Sequence, residues 1–344
     1  MHAFNIGLLT IAGSALFLGL FSRRLKRLGI PDSVVLLGLG VALGPIGLRL
    51  LDPQSWGDAM GILEQVARLA LAIGLMGVAL RLPRDYVFAH WRSLLVVLAL
   101  GMPFMWLCSS AIAASVVGVS LSTALLIGAV VTPTDPVVAS TIVTGSVAEE
   151  NLPTHLRRIV SAESGANDGL AYLFVMGAVF LSSAPPSGSM TRDLAVLLFG
   201  KILGALLLGI VIGWAAGRAL RIAEEKAWIE QPSVLMFTTA LALTTLAAAK
   251  LVGSDGILAV FVAGLAFDRQ VNVRERQQEE RVVEGIDRFF ISPIVLLLGL
   301  MIPWREWWQL GWPVVNLVAA ASILVHGLTA TPLSYVHGRR AAGV

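Results

Sequence analysis

Thr132-Pro133-Thr134-Asp135-Pro136 falls in the middle of an otherwise apolar run from 121 to 146, and the next run, 156 to 182, carries Glu163-Ser164-Gly165-Ala166-Asn167-Asp168-Gly169. Two prolines remove two backbone donors, so the carbonyls of Ala129 and Thr132 lose their i+4 partners. The residues before them, Thr132 and Asp135, are pushed out of the α region. A helix broken at 132–136 is expected, with Asp135 as N-cap and Pro136 at the first position of the following half-helix. Freed carbonyls at the end of the first half-helix would face the same gap, which is a place for a cation.

In the second run, at about 100° per residue, Glu163 and Asn167 share one stripe, Ser164 and Asp168 the next, and the two acids stand ~7.5 Å apart along the axis. An ionised group at mid-bilayer costs about 2.5 to 3.5 kcal/mol, so Asp135, Glu163 and Asp168 together represent about 8 to 10 kcal/mol if unpaired. That is comparable to the stability of a whole fold. The structural alternative is that donors or a buried arginine satisfy these acids. Asp168 is the strongest functional candidate of the three.

The rest of the chain supplies the bilayer these residues sit in. Of 344 residues, 56% are hydrophobic and 14% charged, with a mean hydropathy of +0.81; this describes a polytopic membrane protein. A span needs about 20 apolar residues, so there is room for roughly ten to twelve. Eleven are expected, at 5–21, 33–51, 62–80, 94–117, 121–146, 156–182, 194–217, 233–251, 255–268, 286–303 and 313–335. They form one integral membrane domain over 1–344.

With the N-terminus outside and the C-terminus cytoplasmic, all but six of the 25 Lys and Arg fall on the inner side, as the positive-inside rule requires of a multi-pass protein of the cell (inner) membrane. Trp56, Trp91, Trp228, Trp304, Trp307, Trp308 and Trp312 lie near span ends, at headgroup level. Arg23, Arg24, Lys26 and Arg27 follow the first apolar stretch, the wrong polarity for a cleaved signal peptide, so span one is expected to stay in the membrane.

Several function classes lose their footing. The single cysteine, Cys108, excludes an intrachain disulfide and a cysteine-based metal site. The net charge of +3 is scattered through short loops, which argues against nucleic acid as a partner. Neither a GxxxxGK loop nor HExxH occurs, so ATP-driven pumping and zinc proteolysis have no basis, and no enzymatic activity or cofactor is expected. Gly209, Gly213 and Gly217 form a small-residue ladder, with Gly40, Gly44 and Gly47 making a similar stripe; ordinary helix packing is the first reading and a dimer face the second.

Weaker polar signals remain. Glu64 and Arg68, spaced i, i+4, are expected to form a structural ion pair on span three. Asp287 and Arg288, at the start of span ten, are expected to pair or snorkel at the interface. Asp255 suits an N-cap of span nine, and His326 is a lone histidine in the last span.

The TDP break in one span followed by E-S-x-x-N-D in the next resembles the monovalent cation:proton antiporter superfamily, in its sodium/proton exchanger (NhaP-like) branch. The likeness extends from the first helix to about Trp312 and includes Leu63-Glu64-Gln65-Val66-Ala67-Arg68 and Gly285-Ile286-Asp287-Arg288-Phe289-Phe290. It implies an all-α antiporter-like inverted-repeat fold and a homodimer. It also implies that Asp168 is the exchanged carboxylate, Asn167 its partner in the asparagine-aspartate pair, Glu163 and Ser164 further ligands, and Thr134 with Asp135 the crossing-point residues. Relatives with Asn at the position of Asn167 tend to exchange one cation per proton, so electroneutral exchange is implied.

One departure stands out. The family has thirteen spans, with a second broken helix late in the chain. Here Trp307-Trp308-Gln309-Leu310-Gly311-Trp312 leads directly into a stretch resembling the family's last helix, so two late spans are expected to be missing and the second repeat incomplete.

The expected function is exchange of Na⁺ or K⁺ for H⁺, the two competing for Asp168 by alternating access. Asp168, Glu163, Ser164 and Thr134 would supply the monovalent-cation shell. Burial raises a carboxylate's pKa and a nearby cation lowers it, so one group can alternate between the two loads. The rival expectation is a transport-incompetent or regulatory membrane protein derived from an antiporter by loss of two spans. A channel lacks a TVGYG-type filter.

Overall fold

The computed structural model describes residues 2–27, 32–82, 86–134, 143, 152–182, 190–228, 234–270 and 292–302. Every regular element among them is helical. In chain order they are α1 (His2–Arg27), α2 (Asp32–Leu43), α3 (Ala59–Arg81), α4 (Tyr86–Ala89), α5 (Trp91–Val96), α6 (Met102–Ile112), α7 (Leu121–Val131), α8 (Thr154–Ser182), α9 (Met190–Ala195), α10 (Gly204–Glu225), α11 (Val234–Leu251) and α12 (Gly256–Asp268). A further helical stretch covers 292–300.

Three helical stretches among the described residues, Ala59–Leu80, Trp91–Val116 and Phe199–Glu225, are long and apolar enough to cross a membrane. The apolar side chains Leu100, Phe104, Leu107 and Ile112 are exposed along the second of them, a surface that suits hydrocarbon and not water. Most expected spans begin within a few residues of a described helix; α1 and α10 run on to Arg27 and Glu225, past the expected ends at 21 and 217, and the start of span ten lies outside the described residues. Span eleven, the second half of span five, and His326 lie outside the described residues.

The chain divides into two compact units. One comprises Met1–Ala70, Val137–Arg157 and Ile286–Val344. Within it, Leu18 of α1 packs with Leu36 and Leu37 of α2 and with Val295, and Leu51 packs with Leu296, Leu297 and Leu300. A side chain at Gly40 would strike the backbone of Leu296 and Gly299, so this pair of helices owes its close approach to glycine.

The span expected to continue to 51 stops at Leu43. Gly44-Pro45 follows, and proline supplies no N–H to extend the ladder. The chain turns back instead, with Leu48 N–H donating to the Ala42 carbonyl at 2.7 Å and Leu51 N–H to that of Leu43 at 3.1 Å.

The other unit comprises Leu71–Pro136 and Arg158–Gly285. Its centre is α12, buried on nearly every side through Leu258, Ala259, Val260, Phe261, Ala263, Gly264 and Phe267. A helix apolar all round is one surrounded by protein. Leu241, Ala242 and Leu246 of α11, Ala72, Met76 and Leu80 of α3, and Leu220 of α10 complete this core.

The glycine ladder of α10 faces α12. A Cβ at Gly209 would meet the Ala259 carbonyl at 2.5 Å, and one at Gly213 would strike the Ala263 carbonyl oxygen. The ladder is therefore packing inside the chain. Asp255 caps α12 as its sequence suggests, accepting from Leu258 N–H at 2.8 Å.

Between Trp91 and Val117, helices α5 and α6 are joined by wide i→i+5 turns at Val97–Gly101, just before Pro103. A widened turn relieves the clash that the proline ring makes with the preceding turn. Gly118, at φ 71°, ends the rod in the left-handed region, where glycine carries no side-chain penalty.

Candidate ion-binding site

Helix α7 begins on a Ser120 cap, whose hydroxyl accepts from Thr123 N–H at 3.3 Å, and it ends at Val131, two residues before Pro133. The helix end therefore falls where the proline chemistry places it. Thr132 is fully buried; its N–H and its hydroxyl both return to the Gly128 carbonyl, at 3.0 and 2.7 Å. That threonine is spent on closing its own helix. Thr134, one residue past Pro133, is the first side chain released from helical duty. Asp135 lies outside the described residues.

Helix α8 runs unbroken from Thr154 to Ser182 and carries the polar wedge on one side. Asn167 Nδ2 donates to Glu163 Oε1 at 2.7 Å, the i, i+4 contact that the shared stripe predicts. The other hydrogen of the same amide reaches Thr134 Oγ1 at 2.8 Å, and Thr134 in turn donates to Ser164 Oγ at 3.1 Å. Four of the residues singled out by sequence, Thr134, Glu163, Ser164 and Asn167, thus form one connected network that joins the segment after α7 to α8.

Asn167 and Ser164 are buried, at 1% and 4% exposure. With both amide hydrogens committed, the Asn167 Oδ1 acceptor is buried and receives no hydrogen bond among the described residues. Burying a polar oxygen without a donor costs about 1 to 3 kcal/mol, so the position invites either a proton donor or a cation. Asp168, the next residue, is partly buried, its Oδ2 atom out of contact with the surface. It shares the Ser164 stripe. Carboxylate, carboxamide and hydroxyl oxygens thus gather beside the end of α7, a donor set suited to a monovalent cation.

Gly165, next to Ser164, is where α12 touches α8: a Cβ there would lie 2.5 Å from the Phe261 ring. Ala162 and Ala166 of α8 pack into the same apolar cluster as Phe261. The wedge is thus polar on one side and seated on an apolar wall on the other.

Beside the expected Glu64–Arg68 pair, the structure records another contact of the arginine. Arg68 donates to Gln65 Oε1 at 2.9 Å, one residue nearer than Glu64, while Glu64 is exposed. Positions i−3 and i−4 lie on the same helix face, so the guanidinium reaches the Gln65 amide from the side that also carries Glu64. Asp287 and Arg288 lie outside the described residues.

Sequence reading passed over Trp106. Its indole N–H donates to the Leu125 carbonyl of α7 at 2.9 Å. A tryptophan at mid-span, away from the headgroup belts that explain the others, was the available signal.

Residues 12–341 match the profile of a family described as "Sodium/hydrogen exchanger, transmembrane". The chain is 33% identical over 284 residues to the Na(+)/H(+) antiporter 2 of Zygosaccharomyces rouxii, a match spanning 82% of this chain and 35% of that protein. It is 29% identical over 321 residues to a Na(+)/H(+) antiporter of Schizosaccharomyces pombe, spanning 91% of this chain and 68% of the other. The solved structure of the sodium proton antiporter MjNhaP1 from Methanocaldococcus jannaschii at pH 8 superposes with a TM-score of 0.68 at 20% identity, over 98% of this chain and 81% of that one. The chain thus has an antiporter fold and spans only about a third of the length of the Z. rouxii relative.

Proposed function

The chain belongs to the sodium/hydrogen exchanger family, a multi-pass membrane protein by that membership, and from this premise we propose that it exchanges Na⁺ or K⁺ for H⁺, with Asp168 carrying either the proton or the cation. The observation that supports this most is the Asn167 clamp. One amide fixes Thr134 and Glu163 together and leaves its own carbonyl oxygen buried without a donor, next along the chain to Asp168.

On this reading the shell is Asp168 with Ser164, Thr134 and Glu163, and Asp135 contributes from beyond the break. A protonated Asp168 is neutral and has no hold on a cation; its ionised form does. Loading one ligand therefore requires release of the other, and competition couples the two fluxes. Because Asn167 is neutral and Asp168 is the carboxylate that changes load, one proton is released for each monovalent cation taken up, which makes the cycle electroneutral. Alternating access moves the loaded site between the two faces. The protein works as a homodimer in the cell membrane, N-terminus outside and C-terminus cytoplasmic.

Everted vesicles provide the test. Addition of Na⁺ or K⁺ to vesicles holding a ΔpH should restore the fluorescence of a quenched dye with the wild-type chain and leave it quenched with Asp168→Asn. Wild-type dequenching by the Asp168→Asn chain would defeat the assignment.

A further inference from the structure

We propose that Trp106 is a positioning residue for the ion site: it fixes the end of α7, and so Thr134, against the helix that bears Asn167 and Asp168. The inference rests on the antiport reading above.

Three helix faces meet at this side chain. Toward α7, the indole N–H donates to the Leu125 carbonyl at 2.9 Å. One turn further on, Gly128 lies so close that a Cβ there would sit 2.8 Å from the Trp106 carbonyl oxygen and 2.9 Å from Ser110 N. Ser110 itself donates back to the Trp106 carbonyl at 2.7 Å. Toward α8, the Trp106 ring meets Phe174 edge-on, centroids 5.5 Å apart and planes at 77°, and its rim lies 3.8 Å from where a Cβ of Gly177 would be. Leu125 with Gly128, Trp106 with Ser110, and Phe174 with Gly177 are each one helical turn apart, so each helix presents a single face to the contact.

Within a bilayer, apolar burial does not distinguish one helix neighbour from lipid. Relative position is set by close approach at small residues and by interhelical hydrogen bonds. The indole bond to Leu125 and the Gly128 contact are of these two kinds, and both lie just upstream of the break at Pro133. Phe174 stands seven residues beyond Asn167, about 10 Å along α8. Trp106 therefore touches neither ion nor proton, yet it spans the two helices whose separation decides whether Asn167 and Ser164 reach Thr134.

The test uses the full chain in proteoliposomes, in a Cys108→Ala background, comparing Trp106→Phe with the parent and with Asp168→Asn. Phenylalanine keeps an aromatic edge for Phe174 and removes the donor to Leu125. Trp106→Phe should raise the apparent KM for Na⁺ roughly three- to tenfold, the range expected for one interhelical hydrogen bond. It should also shift the pH of half-maximal exchange, with kcat kept near the parent value.

A second readout needs no transport. Spin labels at Val131→Cys and Leu181→Cys, both exposed positions on α7 and α8, should report one narrow distance in the parent and a broadened or displaced one with Trp106→Phe. An unchanged distance distribution with unchanged KM would overturn the proposal. Should the parent show no exchange, or Asp168→Asn retain it, the antiport reading fails and the distance measurement alone decides the clamp.

Discussion

Asn167 Nδ2 lies 2.8 Å from Thr134 Oγ1, which ties a side chain on an unbroken helix to the first residue beyond a proline break. A helix end is loose by construction, since its last carbonyls have no partners within their own helix. The amide gives that end a fixed place, and Glu163 on the other amide hydrogen fixes the rotamer of the asparagine in turn.

Replacement of Thr134 by valine keeps the volume and removes the hydroxyl. One amide hydrogen of Asn167 and the Ser164 hydroxyl then lose their partner, at about 1 to 3 kcal/mol for a buried group left unmatched. Thr134→Val should lower thermal stability in detergent and raise the apparent KM for the cation, while Thr134→Ser should restore both. Equal behaviour of the valine and serine chains in a cation titration would count against the network.

Gly165→Val should disrupt the seat of α8, because the new side chain occupies the space of the Phe261 ring. Overpacking of this kind costs about 1 to 3 kcal/mol. The double variant Gly165→Val with Phe261→Ala should regain part of the loss. Fluorescence size-exclusion chromatography after graded heating measures it, and strict additivity of the two changes would argue that they do not touch.

Gly213→Leu should prevent assembly of α10 on α12, since its obstruction is the Ala263 backbone and backbone cannot rotate away. Gly19→Leu is the matched control, because nothing lies within 4 Å of the corresponding Cβ. The yield of monodisperse protein should fall sharply for the first and little for the second. Similar yields would contradict intramolecular packing of the ladder.

A ligand that binds only the folded chain raises its stability by mass action, about 2.7 kcal/mol at a hundredfold excess over Kd. Na⁺ or K⁺ should therefore raise the melting temperature at alkaline pH, where the site is free of protons. The rise should shrink as pH falls, because the proton then holds the same carboxylate. Thermal scans across pH at constant ionic strength, with choline as the control cation, check this; an increment independent of pH would speak against competition.

Much of the site was legible because its information is local. Pro133 ends α7 by covalent chemistry, the four-residue spacing of Glu163 and Asn167 guarantees a shared face, and Asp255 caps α12 from the adjoining residue. The turn after Leu43 was equally local, in Gly44-Pro45, but hydropathy averaged over a window passed through it. Trp106 was not legible. Its contacts lie 19 residues away at Leu125 and much further on at Phe174, and no periodicity encodes a meeting between distant helices. The glycine ladder gave its own face but not its partner for the same reason. Arg68 shows a third limit: spacing places two possible partners, Glu64 and Gln65, on one face and does not say which of them the guanidinium takes.

Proton release on cation binding tests the central claim most directly. Purified protein titrated with Na⁺ or K⁺ in two buffers of different ionisation enthalpy should release about half a proton per cation bound near the midpoint of the Asp168 titration, rising towards one as the pH is lowered and falling towards none as it is raised. Asp168→Asn should release none. Proton release that persists undiminished in Asp168→Asn, or cation binding by the parent chain with no proton released at any pH, would contradict the account.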